Sequence, residues 1–169
     1  MIFLTVGTTQ FPFHRFIRAV DNVLLSTNRN EKLIAQVGRC TYRISYKNKK
    51  VCIDASYDEL IQYMKRARVV LGHGGFGTAL LGIRYSRNKI FVVPRSKGLG
   101  EHVDDHQIYL SQYLEEKKLI KMALPSDDLE GLLSSYVASP QRNLPQNLFV
   151  TRTRLINNLT QYTEAIGQL

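Results

Sequence analysis

Short, almost wholly apolar runs at residues 1–6, 33–37, 69–71, 90–93 and 119–123 constrain this chain more than any other feature. A strand that is apolar along its whole length is buried on both faces. That is the mark of a parallel sheet with helices above and below it. Between the runs, apolar residues change to helical spacing. Phe13, Phe16, Ile17, Val20 and Leu24 repeat this way after Pro12, which is tolerated where a first helical turn has no use for its N–H. Ser56 and Glu59 form a capping box that opens a helix carrying Leu60, Ile61 and Met64. Further helices are expected over 78–85, 102–116, 129–136 and 147–166. Two weaker strand-like segments, 41–46 and 51–53, flank a basic turn. The expectation is one α/β domain over 1–169, Rossmann-like, with its core in about 1–136 and a C-terminal helix at about 147–166. Leu155, Leu159, Tyr162 and Ile166 give that last helix one apolar stripe, suited to packing on its own domain or to docking a partner.

In such sheets ligands bind beyond the carboxyl ends of the strands. The loops at 7–11, 38–41, 72–77 and 94–106 are therefore where chemistry is to be sought. The charge balance fits an anionic ligand: 23 Lys and Arg stand against 14 Asp and Glu, a net charge of +9. The basic residues are scattered and no nucleic-acid motif accompanies them, so nucleic acid is not the expected partner. No apolar run approaches the roughly 20 residues of a membrane span. The N-terminus reads as a strand rather than a signal peptide. Cys40 and Cys52 are too few for a disulfide scaffold and wrongly spaced for zinc. They read as buried free thiols in a cytosolic protein.

The stretch "VVLGHGGFGTALLG", 69–82, leaves an apolar strand and enters a helix through Gly72, Gly74, Gly75 and Gly77. Glycines let a backbone turn sharply and approach a phosphate, and a helix N-terminus offers free N–H groups. A tight turn without a ligand is the plainer alternative. A dinucleotide fingerprint would want an acid at the end of the next strand, where Pro94-Arg95 stands. A Walker loop would want Gly-Lys-Ser/Thr. A hydrolase would want G-x-S-x-G, and the chain has none.

The second polar stretch is "PRSKGLGEHVDDHQ", 94–107. His102 and His106, four apart on the expected helix, suggest a metal pair, but Val103 replaces the glutamate of H-E-x-x-H and no third ligand stands out. No metal is expected. Glu101, Asp105, His106 and Gln107 suit a hydroxyl-rich ligand such as a sugar. An exposed polar helix start, favoured by its acids alone, is the alternative.

With both stretches in view, the chain resembles the C-terminal half of family 28 glycosyltransferases. It is most similar to the short PssE/EpsF-type subunits of bacterial exopolysaccharide synthesis, relatives of the eukaryotic subunit that helps make dolichol-linked chitobiose. The resemblance rests on "FLTVGTTQFPFHRFIRAVD" (3–21), "QVG" (36–38), "SYDELIQYMKRARVVLGHGGFGT" (56–78) and "IFVVPRSKGLGEHVDDHQ" (90–107), and it covers roughly the first 125 residues.

The resemblance implies the donor-binding half of a GT-B enzyme, whose two Rossmann-like halves face a common cleft. A UDP-sugar is the implied donor. A separate membrane-associated subunit of PssD/EpsE type would bind a lipid-linked sugar acceptor and bring the catalytic base. The chain itself would be cytoplasmic, peripheral to the membrane through that partner, and active as a hexosyltransferase only with it. Gly7, Thr8 and Thr9 match the loop expected at the diphosphate. His73, Gly74, Gly75, Gly77 and Thr78 match the nucleotide loop. His106 and Gln107 match the pair expected at the donor sugar, with Glu101 and Asp105 supporting that loop or touching the sugar. Arg95 is assigned to phosphate on its charge alone. A D-x-D motif is absent, and no cofactor is expected. One departure stands out: Leu81 takes the position where the family often carries a glutamate for the ribose. A non-catalytic nucleotide-binding or regulatory module using the same loops is the alternative.

Overall fold

The computed structural model describes residues 1–27, 30–88 and 90–139. The expected helix at 147–166 and its apolar stripe lie outside them. Among the described residues one sheet holds β1 (Ile2–Thr5), β2 (Leu33–Gln36), β3 (Lys49–Cys52), β4 (Val69–His73), β5 (Ile90–Val93) and β6 (Ile120–Met122). Every pairing is parallel, in the order β3-β2-β1-β4-β5-β6. This is the Rossmann order, and the expected fold class stands. The helices are α1 (His14–Ser26), α2 (Tyr57–Arg66), α3 (Phe76–Tyr85), α4 (His106–Glu116) and α5 (Leu129–Ala138). None of them is long and apolar enough to cross a membrane.

Strand alternation sorts the apolar residues into two cores, one on each face of the sheet. Ile2, Leu4, Leu71 and Val93 turn to one face, where Phe16, Val20, Leu24 and Leu133 from α1 and α5 cover them. Phe3, Val70, Ile90 and Val92 turn to the other, under Met64, Ala79, Ile83 and Leu114 from α2, α3 and α4. Each such side chain contributes about 1.5–3 kcal/mol by leaving water. Strands buried from both sides therefore need no polar alternation, which is why they read so plainly.

Three local readings are corrected. Residues 41–46 are not a strand; they belong to a helix-free crossover between β2 and β3. Asp21, buried on α1, accepts hydrogen bonds from the main-chain N–H of Ser45 and Tyr46, both at 2.8 Å, and from the Tyr42 hydroxyl at 3.0 Å. Those bonds stand where a ladder would. The helix expected from 102 begins at His106, because the chain first makes a 3₁₀ turn at Lys97–Leu99 and bends through 101–105. Cys40 and Cys52 are free but only half-buried. The capping box is present in both directions: Ser56 accepts from Glu59 N–H, and Glu59 accepts from Ser56 N–H.

Candidate functional site

The strand order changes direction between β1 and β4, whose carboxyl ends lie side by side with Thr5 paired to Gly72. Chain leaving β1 runs to one side of the sheet and chain leaving β4 to the other. The crevice between their loops is where open α/β sheets take ligands. The loop after β1 carries Gly7, Thr8 and Thr9. The loop after β4 carries Gly74, Gly75, Gly77 and Thr78. Residues from distant parts of the sequence thus meet at one edge.

His73, the last residue of β4, stands at the centre of this edge and is 8% exposed. Its Nδ1 lies 3.3 Å from the Thr78 hydroxyl. Burial, reinforced by the nearby Arg95 guanidinium, lowers its pKa to about 4, so the ring is neutral at pH 7. The glycines around it divide into two kinds. At Gly7 (φ +73°) a Cβ would sit 2.6 Å from His73 Cε1, and at Gly75 it would lie 2.9 Å from His73 Cδ2. At Gly74 it would press on Pro94 and Ser111 at 3.0 Å. These glycines make room for the protein's own groups. A Cβ on Gly77 would meet nothing within 4 Å, so its face is open.

The helix starts supply the electrostatics. α2 and α5 follow the outermost strands, β3 and β6. Both have a side-chain cap and an acid in the first turn, from Ser56 with Asp58 and Glu59, and from Asp128 with Glu130. α1 and α3 follow the two strands that flank the crevice, and have neither. Their first turns are left without a side-chain acceptor, and an anion in the crevice would meet free N–H groups and positive dipole ends. α4 lies between these cases: its N-cap Asp105 makes no cap bond, while Asp104 accepts from His106 N–H at 3.2 Å.

The structure turns Arg95 inward. Its guanidinium donates to the carbonyls of Val6 and Phe11 at 2.9 Å, and of Glu101 at 3.3 Å, and lies over the Phe13 ring. At 1% exposure it is a pin that ties the β5 loop to the β1 loop, and its charge reaches the crevice as a field. Glu101 is likewise engaged. Arg15 binds its carboxylate with two contacts, 2.9 and 3.0 Å, and Ser96 N–H adds a third at 3.2 Å. Asp105 accepts from Lys97 N–H at 2.8 Å. Gln107, 2% exposed, accepts from Arg95 N–H at 3.1 Å. His106 is exposed and bonded to Asp104, and Thr8 is exposed beside half-buried Thr9. Leu81 is half-buried against the second core.

Two contributors escaped the sequence reading. Gln36 ends β2, accepts from the Thr5 hydroxyl at 2.6 Å and from Gly7 N–H at 3.1 Å, and donates to Gly7 O at 2.9 Å, which holds the first loop. A polar residue closing an apolar strand was the available signal. Arg15 sits in the first turn of α1, where a cation opposes the dipole; that placement signals a dedicated partner. An open groove of about 450 Å³ lies apart from both glycine loops, between Arg15 and Arg18 of α1 and Pro125, Asp127 and Glu130. It carries charges of both signs and, of the residues named for the site, includes Arg15 alone.

A family model for the glycosyltransferase family 28 C-terminal domain matches residues 1–156. No curated protein matches. Among solved structures, the chain is similar to the glycotransferase of kitacinnamycin, with a TM-score of 0.61 at 15% identity, over 92% of this chain and 38% of that one. At that identity the likeness establishes the fold, that of one half of a GT-B enzyme. The chain spans well under half the length of that protein.

Proposed function

The chain belongs to the family of glycosyltransferase family 28 C-terminal domains, and we propose that it is the donor-binding half of a two-part enzyme, a hexosyltransferase of PssE/EpsF type. It would hold a UDP-sugar, while a membrane-associated acceptor-binding subunit of PssD/EpsE type presents a lipid-linked sugar for exopolysaccharide synthesis. That partner would also bring this chain to the cytoplasmic face of the membrane. One observation carries the reading. The two helices that follow the strands flanking the crevice, α1 and α3, have neither side-chain cap nor first-turn acid, a lack they share with α4 but not with α2 and α5. A diphosphate supplies the missing acceptors.

In the reaction, an acceptor hydroxyl attacks the anomeric carbon, the bond from that carbon to the diphosphate oxygen breaks, and the nucleoside diphosphate leaves. The rate then depends on how well charge developing on the leaving oxygen is met. Gly77's open face and the uncapped N–H groups of the first turn of α3 suit that task. His73, kept neutral, adds no charge of its own and fixes the spacing of the two loops. Asp105, Gln107 and Glu101 hold the 95–107 loop in shape, which leaves the exposed His106 to meet the donor sugar. The acceptor's proton goes to a base on the partner subunit.

The test compares the lone chain with the chain co-expressed beside an acceptor-half protein, using a UDP-sugar and a lipid-linked sugar. Transfer is expected only with the partner; comparable transfer by the chain alone would overturn the two-part reading. A thermal shift with UDP, beside none with NADH or NADPH, is expected of the donor site. Leu81 favours a second reading. An apolar side chain where relatives often hold ribose suits a nucleotide-binding regulatory module, which would bind UDP yet show no transfer with any acceptor half.

A further inference from the structure

The bend at 101–105 does more than delay α4. It gathers His102, Asp104 and His106 so that one ligand atom from each lies within 4.8 Å of the other two. Two imidazoles and a carboxylate are the donor set of zinc-class sites. Sequence spacing pointed only to a histidine pair without a third ligand, since Asp104 on a continuous helix would project elsewhere. The bend supplies that ligand.

The cluster holds one hydrogen-bonded pair, His106 with Asp104, beside one ring nitrogen without a partner. His102 Nδ1 is buried and has no hydrogen-bond partner. Asp104 Oδ1 is only 3.3 Å away but lies off the line along which that nitrogen bonds. Two ligands held about 2.1 Å from a tetrahedral ion are about 3.4 Å apart, and neither points at the other. The His102–Asp104 separation is close to that spacing, while the His106–Asp104 pair is closer and would open to admit the ion. The same carboxylate oxygen also contacts His106 Nδ1, so both imidazoles approach one acceptor by the same ring nitrogen. The rings meet edge to face with centroids 4.9 Å apart. A buried ring nitrogen left without a partner is costly, and an ion would relieve it. Asp104 and His106 are exposed, so an ion can enter and His106 can adjust.

We propose that His102 Nδ1, Asp104 Oδ1 and His106 Nδ1 form a binding site for a divalent transition-metal ion of the zinc class, with one coordination position left for water or a ligand oxygen. The ion would clamp the 97–105 loop to the start of α4. The site shares His106 with the proposed sugar contact, binding the ion through Nδ1 and leaving the other ring nitrogen for the sugar, and it requires no step of the sugar-transfer chemistry. Two nitrogen donors select Zn²⁺, Co²⁺ or Ni²⁺ over Mg²⁺ and Ca²⁺.

Co²⁺ titration of the tag-free, metal-stripped chain tests the assignment, read by the visible absorption of a low-symmetry cobalt site and by calorimetry. One equivalent is expected to bind and to be displaced by Zn²⁺, but not by a tenfold excess of Mg²⁺. H106A, at an exposed position that leaves the fold intact, and D104N are each expected to weaken binding about tenfold or more. H14A is expected to leave it unchanged, because His14 lies elsewhere, against Thr41. Absence of a cobalt band in the wild-type chain, equal affinity in H106A, or displacement by Mg²⁺ would overturn the site.

Discussion

The imidazole of His73 fills the space that a side chain on Gly7 would need: a Cβ there would lie 2.6 Å from His73 Cε1. Gly7 also has φ +73°, so Gly7→Ala meets two penalties, left-handed strain and a clash with a buried ring. Together they are expected to cost about 2–4 kcal/mol, read by urea denaturation. Gly77→Ala is the contrast. Nothing lies near its missing Cβ, so stability should move by less than about 0.5 kcal/mol. If a phosphate approaches that face, UDP affinity should nevertheless fall about tenfold, or about 1.4 kcal/mol. Unchanged UDP binding in Gly77→Ala would remove the open face from the site.

The carboxylate of Glu101 is buried and holds three N–H donors, two from Arg15 and one from Ser96. Glu101→Gln keeps the shape and loses the charge. Arg15→Ala leaves a buried carboxylate without its cation. Each is expected to destabilise the chain by about 1–3 kcal/mol. The loss should concentrate in the 96–105 loop, seen as faster amide exchange and protease cleavage there. Uniform loosening across the sheet would show that the pair does not act on that loop.

Sequence and structure agree best where one cause acts alone. Ile2 to Leu4, Val69 to Leu71 and Ile90 to Val93 are strands because both faces are buried, and burial of that kind shows in composition. The same holds for Ser56 and Glu59, whose capping bonds span three residues. Agreement fails where the partner is remote. Residues 41–46 alternate like a strand, yet the N–H groups of Ser45 and Tyr46 go to Asp21, more than 20 residues back in the chain, and that of Thr41 goes to His14. Arg95 reads as a phosphate ligand, but carbonyls of Val6 and Phe11, over 80 residues away, consume it. Glycine spacing foretells close approach without saying what approaches. At Gly7 and Gly75 it is a histidine, while Gly77 in the same loop is left open.

His73 should give the fold an acid-sensitive component. Its pKa falls from the usual 6.5 to about 4 on folding, chiefly through burial. Between those values the unfolded chain binds a proton that the folded chain refuses. Stability therefore rises with pH across that window and falls as acid is added. Above pH 6.5 the contribution is whole; by pH 4 most is gone, a difference of up to about 3 kcal/mol. His73→Gln cannot titrate, so its stability relative to wild type should improve steadily from pH 6.5 to 4. Parallel stability curves for the two proteins across that range would show that His73 is not held neutral by the fold.

Leu81 offers the sharpest test of the nucleoside end. It lies on α3, half-buried against the second core, three residues after Thr78 of the glycine loop. The resemblance to the family implies a glutamate at this position, which would accept from ribose hydroxyls. Leu81→Glu keeps good helix propensity, and partial exposure gives the carboxylate a path to water, so a stability loss of about 1–2 kcal/mol is expected. A charge-assisted hydrogen bond contributes about 1.5–3 kcal/mol, so UDP affinity should rise about tenfold while affinity for inorganic diphosphate stays level. The diphosphate comparison separates ribose from phosphate, because an added negative charge alone would weaken both ligands. If UDP binding fails to improve, the ribose does not lie against α3, and Leu81 does not mark an altered nucleoside site.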